Sequence, residues 1–216
     1  KEINLASVTY GNNQFIAVGE HGIIITSQDG VIWTGRSSGI ENIDLKSVTY
    51  GKNLFIVMGE SGTILTSPDG VTWTKRSSGT KNSLHSATCD NIQFIAVGNY
   101  GIILTSPDGV TWIERSSGAS KLDFESVTYG NNQFIAVGNG GAILTSHDGT
   151  RWTDRFSGTL DLLESVTYGN NQFIAVGGYY GTGTAILTSP DGITWTKRSS
   201  GTLTIPKSVT YGNNQF

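Results

Sequence analysis

Short apolar stretches bounded by glycine, asparagine or aspartate recur along the whole chain. The middle stretches are apolar on both faces, as at residues 15–18 (FIAV) and 23–25 (III). A strand with one face in water would alternate apolar and polar residues, so these strands must be covered on both sides. No window has the spacing of an amphipathic helix. The pattern therefore predicts an all-β protein whose small sheets stack face to face.

The chain consists of repeats of about forty residues. The string SVTYGNNQF occurs at residues 7–15, 126–134, 165–173 and 208–216, with variants at 47–55 and 86–94. Tryptophan recurs once in each full repeat, at Trp33, Trp73, Trp112, Trp152 and Trp195. We divide the chain into five repeats and the start of a sixth, at residues 5–44, 45–83, 84–123, 124–162, 163–205 and 206–216.

Each repeat is predicted to form four antiparallel strands, with the patterns LxSVTY, QFIAVG, GxILTS and VTWTxRSS. Gly-Asn-Asn separates the first two strands, and these residues tolerate a positive φ. Ser-Pro-Asp-Gly separates the last two, where proline presets the first dihedral and glycine accepts the left-handed position. Such units are typical of β-propeller blades. We predict a propeller of five blades, or part of a larger ring; a solenoid of hairpins is the alternative, and a β-sandwich fits less well.

Composition narrows the classes of partner. The chain has 216 residues, which is enough for one large all-β domain or two small ones. Of these residues, 37% are hydrophobic and 14% are charged. A net charge of −3 provides no basic field for nucleic acid or an anionic membrane. No apolar run approaches the roughly 20 residues of a membrane helix, so no membrane insertion is expected. The single cysteine, Cys89, stands where other repeats have tyrosine, which predicts a packing role.

The turn between the third and fourth strands reads SQDGVIW at residues 27–33 and recurs at 67–73, 106–112, 146–152 and 189–195. It resembles the Asp-box, or BNR, repeat of sialidases and related propellers, shortened by one residue between aspartate and glycine. The wider repeat is similar to those of photosystem II assembly factors and xyloglucanases. This resemblance covers the whole chain and implies a propeller architecture.

The repeated aspartates and tryptophans are predicted to be structural. Serine and aspartate side chains can bind the amides of their own turn, and each tryptophan is expected to fill the gap to the neighbouring blade. Full burial would make a Trp→Ala change cost about 3–5 kcal/mol. The alternative is a Ca²⁺ or sugar site at each turn, but calcium takes about six oxygens and each turn has one carboxylate. We predict no metal and no cofactor. The aspartates are Asp29, Asp69, Asp108, Asp148 and Asp191.

Catalytic constellations are not evident. The resemblance to sialidases implies an arginine triad, but five of the six arginines share one repeat position and cannot converge on one substrate. Xyloglucanase-like hydrolysis needs two facing carboxylates, and nothing marks out a pair among the acids around the first strands. The three histidines, His21, His85 and His147, occupy different repeat positions, so no triad or metal cluster is indicated. We predict no enzyme; a hydrolase-like propeller fragment without a visible active site is an alternative.

Comparison of the repeats indicates where binding should occur. The first and third turns barely vary, whereas the links from strand two to three and from strand four to the next repeat vary strongly. In an antiparallel meander these two classes lie at opposite ends of a blade, and loops on a rigid scaffold commonly bind ligands. We therefore predict a scaffold that binds a protein or carbohydrate partner at the variable end. The predicted contact residues are Glu20, His21, Glu60, Asn99, Tyr100, Asn139, and Tyr179 and Tyr180 in the long 177–184 loop.

Three questions stay open at this stage. The variable links could have drifted simply because nothing constrains them. Near-identical repeats could instead present one sugar site several times, as in a multivalent lectin. Residues 206–216 have no free place in a five-blade ring, so they could be a redundant strand, part of a larger ring, or a route to self-association.

Overall fold

The computed structural model describes residues 4–179, 183–202 and 204–216. Its strands form five sheets, each with four antiparallel strands in chain order. Sheet 1 contains β1 Leu5–Gly11, β2 Gln14–Gly19, β3 Ile24–Ser27 and β4 Thr34–Arg36. Sheet 2 contains β5 Leu45–Gly51, β6 Leu54–Gly59, β7 Ile64–Ser67 and β8 Thr74–Arg76. Sheet 3 contains β9 Leu84–Cys89, β10 Phe94–Gly98, β11 Ile103–Ser106 and β12 Ile113–Arg115. Sheet 4 contains β13 Phe124–Gly130, β14 Gln133–Gly138, β15 Ile143–Ser146 and β16 Thr153–Asp154. Sheet 5 contains β17 Leu162–Gly169, β18 Gln172–Tyr179, β19 Gly183–Ser189 and β20 Thr196–Arg198.

The first three strands of each repeat confirm the sequence prediction, and so does the first turn. In repeat one that turn places Asn12 at φ 47° and Asn13 at φ 59°, which brings Gly11 opposite Gln14. The predicted fourth strand is wrong at its start, because β4 begins only at Thr34. The Asp29 carboxylate accepts hydrogen bonds from the amides of Val31 and Ile32, and so keeps these residues in the turn.

The links from strand two to strand three are regular. Four of them are short 3₁₀ turns, at Glu20–Gly22, Glu60–Gly62, Asn99–Gly101 and Asn139–Gly141. In repeat five the flanking strands lengthen instead, and Tyr179 pairs with Gly183. Much of the predicted 177–184 loop is therefore a longer hairpin, because successive backbone pairs continue the ladder beyond Gly177.

The chain divides into two compact units: Lys1–Ala96 with Leu104–Glu114, and Val97–Ile103 with Arg115–Phe216. In the first unit, Ile16 and Ile24 of sheet 1 pack into one core with Leu45, Phe55 and Leu65 of sheet 2. In the second unit, sheets 4 and 5 share a core of the same kind. Both faces of the middle strands are thus covered, as their apolar pattern predicts.

A glycine and an aromatic ring meet where neighbouring sheets pack. A Cβ atom added to Gly11 would lie 2.2 Å from Cγ of Tyr50, and one added to Gly130 would lie 2.2 Å from Cγ of Tyr168. At Gly51 the neighbour is the Cys89 sulfur, which takes the tyrosine's place as predicted. We call this contact the glycine–tyrosine joint. It sets how closely consecutive repeats stack.

No helix among the described residues is long and apolar enough to cross a membrane.

Candidate functional site

The Ser-x-Asp-Gly turn is closed by its own side chains. In repeat two, Oδ1 of Asp69 accepts from the amides of Val71 and Thr72, each at 2.9 Å, and from Oγ of Ser67 at 2.9 Å. Nε1 of Trp73 donates to the carbonyl oxygen of Gly70 at 3.2 Å. The other four repeats contain the same hydrogen bonds around Asp29, Asp108, Asp148 and Asp191. These carboxylates therefore organise their own turns, and within the described residues no group of three or more His, Cys, Asp and Glu side chains could hold a metal ion.

The repeated tryptophans differ in burial. Trp73 is half-buried and packs against the core of the first unit, and Trp195 does the same in the second unit. Trp33 is 37% exposed and has Phe15 as its ring neighbour, with centroids 6.4 Å apart. Trp112 and Trp152 are half-buried. None of the five repeated tryptophans is fully buried, so the stability cost expected for a fully buried tryptophan applies to none of them in full, and least to Trp33.

The turn aspartates predict a loss of stability in acid. The amide of the residue three positions on, and then that of the residue two positions on, hold the pKa of Asp69 below its usual value. A carboxyl whose pKa is lower in the folded state stabilises the protein above the unfolded pKa and stops doing so as pH falls through the folded pKa. We therefore expect the free energy of unfolding, measured by urea titration, to fall below about pH 4.

Asparagine variants provide the control for that measurement. Asp69→Asn and Asp191→Asn keep an oxygen acceptor for the turn amides but cannot titrate. Both turns have a lowered aspartate pKa in the folded protein. The double variant should therefore lose less stability between about pH 5 and pH 2 than the parent chain. An unchanged pH dependence would show that these turns do not carry the acid sensitivity.

In the first unit, Asp44 connects two of the predicted contact residues, His21 and Glu60. The amide of His21 donates to Oδ1 of Asp44 at 3.1 Å, and the amide of Glu60 donates to the Asp44 carbonyl oxygen at 3.0 Å. Lys46 bridges Oδ2 of Asp44 at 3.3 Å and Oε1 of Glu60 at 3.2 Å. The amide of Glu20 is held by the carbonyl oxygen of Asn4 at 3.0 Å. The backbone of both turns is therefore fixed by neighbouring links.

The charges in this network reinforce one another. The His21 amide is the main cause of the lowered pKa of Asp44. Burial acts to lower the pKa of Lys46, but its hydrogen bonds to Glu60 and Asp44 outweigh that effect and raise it. Asp44 and Lys46 are therefore both charged at neutral pH, and the Asp44 carboxyl is not poised as a proton donor.

In the second unit, Asp123 has the same position and joins two other predicted residues. Its Oδ1 accepts from the amide of Tyr100 at 2.8 Å, and its Oδ2 accepts from Nδ2 of Asn139 at 3.2 Å. The amide of Asn139 donates to the Asp123 carbonyl oxygen at 2.9 Å, while Asn99 opens the turn that contains Tyr100. Asp44 and Asp123 each precede the first strand of a repeat, and nothing in their local sequence indicates that they hold these turns.

The middle residue of each 3₁₀ turn has a left-handed backbone and points into solvent. His21 has a φ of 55°, Ser61 54° and Tyr100 56°, and Gly140 occupies the same place at 65°. Tyr100 is 65% exposed. The same backbone conformation therefore presents four different residue types: histidine, serine, tyrosine and glycine. We call these four positions the display positions.

The fifth repeat presents its tyrosine differently. Tyr179 is 63% exposed at the end of β18, opposite Gly183. Next to it, Oγ1 of Thr184 lies 2.9 Å from the carbonyl oxygen of Thr202 and 2.8 Å from that of Thr204, and its one proton can be donated to either. Tyr180, predicted to act with Tyr179, lies outside the described residues.

Two exposed apolar residues were missed by the sequence analysis. Phe156 is 88% exposed and Leu160 is 90% exposed, both in the link that follows sheet 4. This link reaches the variable end, because a Cβ atom on Gly141 would lie 2.1 Å from the Thr159 carbonyl oxygen. A signal was present in the repeat alignment: Phe156 replaces a serine found in the other four repeats, at Ser37, Ser77, Ser116 and Ser199.

The opposite end of the first unit contains a polar groove of about 490 Å³. Residues 12–14 and 26–29 line it together with Asp69 of the next repeat. In repeat two, Lys52 stands in the corresponding first turn and its Nζ donates to the Pro107 carbonyl oxygen at 2.7 Å. The grooves of repeats one and two therefore have different chemistry.

Six aspartates of the turns and links have a pKa below the usual value, because backbone amides donate hydrogen bonds to their carboxylates. The general acid of a glycosidase needs a raised pKa so that it carries a proton at working pH. None of the shifted carboxyls meets that requirement. They are Asp29, Asp44, Asp69, Asp108, Asp148 and Asp191.

Similar architectures occur among solved structures. YCF48 from Cyanidioschyzon merolae overlaps 95% of this chain and 88% of its own, with a TM-score of 0.65 and 16% identity. Virginiamycin B lyase from Staphylococcus aureus overlaps 98% of this chain and 75% of its own, with a TM-score of 0.86 and 12% identity. Both are β-propellers. This chain has a β-propeller fold.

A designed protein shares the architecture as well. The computationally designed Ika8 overlaps 97% of this chain and 66% of its own, with a TM-score of 0.75 and 10% identity. At these identities the likeness establishes the propeller fold and not an activity. No protein-family model matches the chain, and no curated protein sequence matches it. The resemblance to Asp-box repeats therefore stays a prediction.

Proposed function

We propose that this propeller is a non-enzymatic binding scaffold that recognises a protein partner through the variable end of its repeats. One observation carries the proposal: a single fixed turn, used four times, presents a different exposed residue each time. The turn backbone is held by hydrogen bonds to neighbouring links, so the side chain at each display position can vary without altering the fold. This is the arrangement of a binding surface built on a rigid frame.

The display positions have a conformational cost that packing does not offset. A left-handed backbone costs an L-residue about 1–2 kcal/mol, and Gly140 shows that glycine fits the same turn. Tyr100 nevertheless occupies it and is 65% exposed, so its ring gains little from burial within the chain. Strain of this kind is concentrated at binding and catalytic sites. A ligand that covers the ring would account for it.

The exposed apolar residues favour a protein over a glycan. Phe156 and Leu160 are almost fully exposed, and Tyr100 and Tyr179 add two large amphipathic rings. Aromatic side chains are enriched where protein interfaces form, because they bury a large area at a small entropic cost. Burying such groups stabilises a complex by roughly 25 cal/mol per Å² of apolar surface, before the costs of association.

We expect the double variant Tyr100→Gly with Phe156→Ser to lose partner binding while keeping its stability. Both replacements already stand at equivalent positions of this chain, at Gly140 and Ser37. Removing the left-handed tyrosine should leave the free energy of unfolding unchanged or raise it by about 1 kcal/mol. Quantitative mass spectrometry of proteins captured on the immobilised chain identifies the partner, calorimetry with the purified partner measures affinity, and urea titration measures stability.

The matched control lies in the Ser-x-Asp-Gly turn of repeat one. Ile32 is 72% exposed there, and threonine stands at the same place in repeat two. Ile32→Thr should keep the affinity of the parent chain. A partner that binds the double variant and the parent equally, or that is lost with Ile32→Thr, would place recognition elsewhere.

A multivalent lectin is the second candidate, supported by the polar groove of about 490 Å³ in the first unit. Amide and carboxylate groups in such a groove suit sugar hydroxyls. A glycan array separates the two functions, because sugar binding would survive the Tyr100→Gly and Phe156→Ser changes. Lys52 of repeat two stands where repeat one has Asn12, so the grooves of the repeats are not identical. A lectin of this kind should therefore bind fewer sugars than it has repeats.

A further inference from the structure

The variable end of repeat two contains a basic pocket of about 350 Å³. Lys75, Arg76 and Lys81 line it, and none of the described residues around it is an aspartate or a glutamate. Ser61, the display position of this repeat, lines the pocket as well. We call this cavity the repeat-two pocket. It lies within the first unit, at the end where we place partner binding.

The positive charges of the repeat-two pocket are not neutralised within the chain. In the part of the chain that the structure describes, no carboxylate forms an ion pair with Lys75, Arg76 or Lys81. Lys46 of the same repeat is by contrast paired with two carboxylates. Cations that share a pocket repel one another, and an anion bound between them would remove that repulsion.

The guanidinium of Arg76 is fixed but not used up. Its Nε donates to Oγ1 of Thr66 at 2.9 Å, which orients the group and occupies one of its N–H donors. Among the described residues the Arg76 side chain has no other hydrogen-bond partner, so its terminal nitrogens are available to a ligand. Ser61 and Ser77 also line the pocket and add hydroxyl donors. A planar guanidinium beside hydroxyl groups suits the oxygens of a phosphate.

The two lysines distinguish repeat two from the other repeats. Lys75 corresponds to Gly35, Glu114, Asp154 and Lys197. Lys81, five residues after the repeated arginine, corresponds to Glu41, Ser120, Leu160 and Leu203. Repeat two is therefore the one full repeat of this chain with a lysine at both positions. The arginine belongs to the scaffold of every repeat, and the lysines add the charge that makes an anion site in this one.

A phosphoryl group on a protein side chain matches the repeat-two pocket. Phosphoserine has a charge of about −1.5 to −2 at neutral pH, and its oxygens are strong hydrogen-bond acceptors. A carboxylate has a single charge and would leave more of the pocket's positive charge unbalanced. A nucleic acid or an anionic membrane needs a basic field wider than one pocket, and the net charge of −3 opposes both.

We propose that the repeat-two pocket binds a phosphorylated serine or threonine side chain of the protein partner. Lys75 and Lys81 balance the charge of the phosphoryl group, and the terminal nitrogens of Arg76 donate to its oxygens. The inference rests on the proposed function only in taking the partner to be a protein. Binding of the phosphoryl group itself is a property of the pocket and is measured without the partner.

Calorimetry with a blocked pentapeptide, phosphoserine between two alanines on each side, tests the pocket. The phosphoryl group is the only charge of this peptide, so the parent chain should bind it and should not bind the unphosphorylated peptide. Lys75→Glu and Lys81→Glu should each weaken binding by about tenfold or more, because a carboxylate would face the phosphoryl group. Both variants should fold, since glutamate already stands at the equivalent positions Glu114 and Glu41.

Lys121→Glu is the matched control. Lys121 is an exposed lysine in the corresponding link of repeat three, and its replacement changes the net charge by the same amount as Lys81→Glu. This variant should bind the phosphopeptide as the parent does. Circular dichroism checks that each variant is folded.

Three results with the peptide would overturn the proposal. The first is a parent chain that does not bind the phosphopeptide. The second is binding that Lys81→Glu and Lys121→Glu change equally, or not at all, because only the overall charge would then matter. The third is inorganic phosphate that binds more than about tenfold more tightly than the phosphopeptide, which would make the pocket a site for the free ion.

The partner gives a separate answer for the proposed function. Phosphatase treatment of the captured partner should weaken its binding to the parent by about tenfold. A partner that binds equally before and after treatment would overturn the phosphoryl site and leave protein recognition standing. The double variant Tyr100→Gly with Phe156→Ser should bind the phosphopeptide as the parent does. If it also binds the partner as the parent does, the proposed function fails while the pocket stands.

Discussion

Gly130→Ala is expected to destabilise the protein by about 3 kcal/mol. The new Cβ atom would lie 2.2 Å from Cγ of Tyr168 and 2.5 Å from its Cβ. Those atoms belong to the root of a ring that packs against the core shared by sheets 4 and 5 and cannot swing aside. Either the ring leaves its place or the two sheets move apart. Urea titration of the purified variant measures the loss.

Gly212→Ala is the matched control for that change. Gly212 follows Tyr211 as Gly130 follows Tyr129, but among the described residues no heavy atom lies within 4 Å of its added Cβ position. We expect its free energy of unfolding to stay within about 0.5 kcal/mol of the parent. Equal losses in both variants would mean that the backbone, and not the glycine–tyrosine joint, requires glycine.

The glycine–tyrosine joint should affect the proposed partner binding, because it fixes the distance between consecutive repeats. In the first unit, His21 and Glu60 belong to different repeats and are both held by Asp44. A shift of one sheet against the next would break that arrangement. Partner affinity should therefore fall when the joint is loosened, even by a change far from the display positions.

Local sequence was sufficient to predict the strands and the first turn. Gly-Asn-Asn specifies two left-handed residues, and the structure has them at Asn12 and Asn13. The early part of the fourth strand was wrong for a competing local reason. Val31 and Ile32 have strand-forming side chains, but their amides donate hydrogen bonds to the Asp29 carboxylate. These amides are therefore not available to a neighbouring strand.

The candidate site was less predictable because its connections cross between repeats. Variation among repeats predicted Tyr100 and Asn139 as contact residues, but it did not predict Asp123. The Asp123 carboxylate accepts hydrogen bonds from both of them. Asp123 precedes the first strand of the next repeat, so its partners depend on how repeats stack. Phe156 was visible as an apolar residue at a serine position, and only the structure shows that it is exposed.

Phe134→Ala is expected to cost about 3–5 kcal/mol, whereas Phe15→Ala should cost clearly less. Both residues end the same string, SVTYGNNQF, so their local sequence is identical. Phe134 is fully buried and its ring lies 4.8 Å from that of Tyr129. Phe15 is half-buried, beside a Tyr10 that is 57% exposed. The difference in cost therefore measures how far the environment of repeat one departs from that of repeat four.

Urea titration of the two purified variants measures this difference. Phe15→Ala should lose less stability than Phe134→Ala by about 1 kcal/mol or more. Equal losses would mean that Phe15 is as well packed as Phe134, although its surroundings are more exposed.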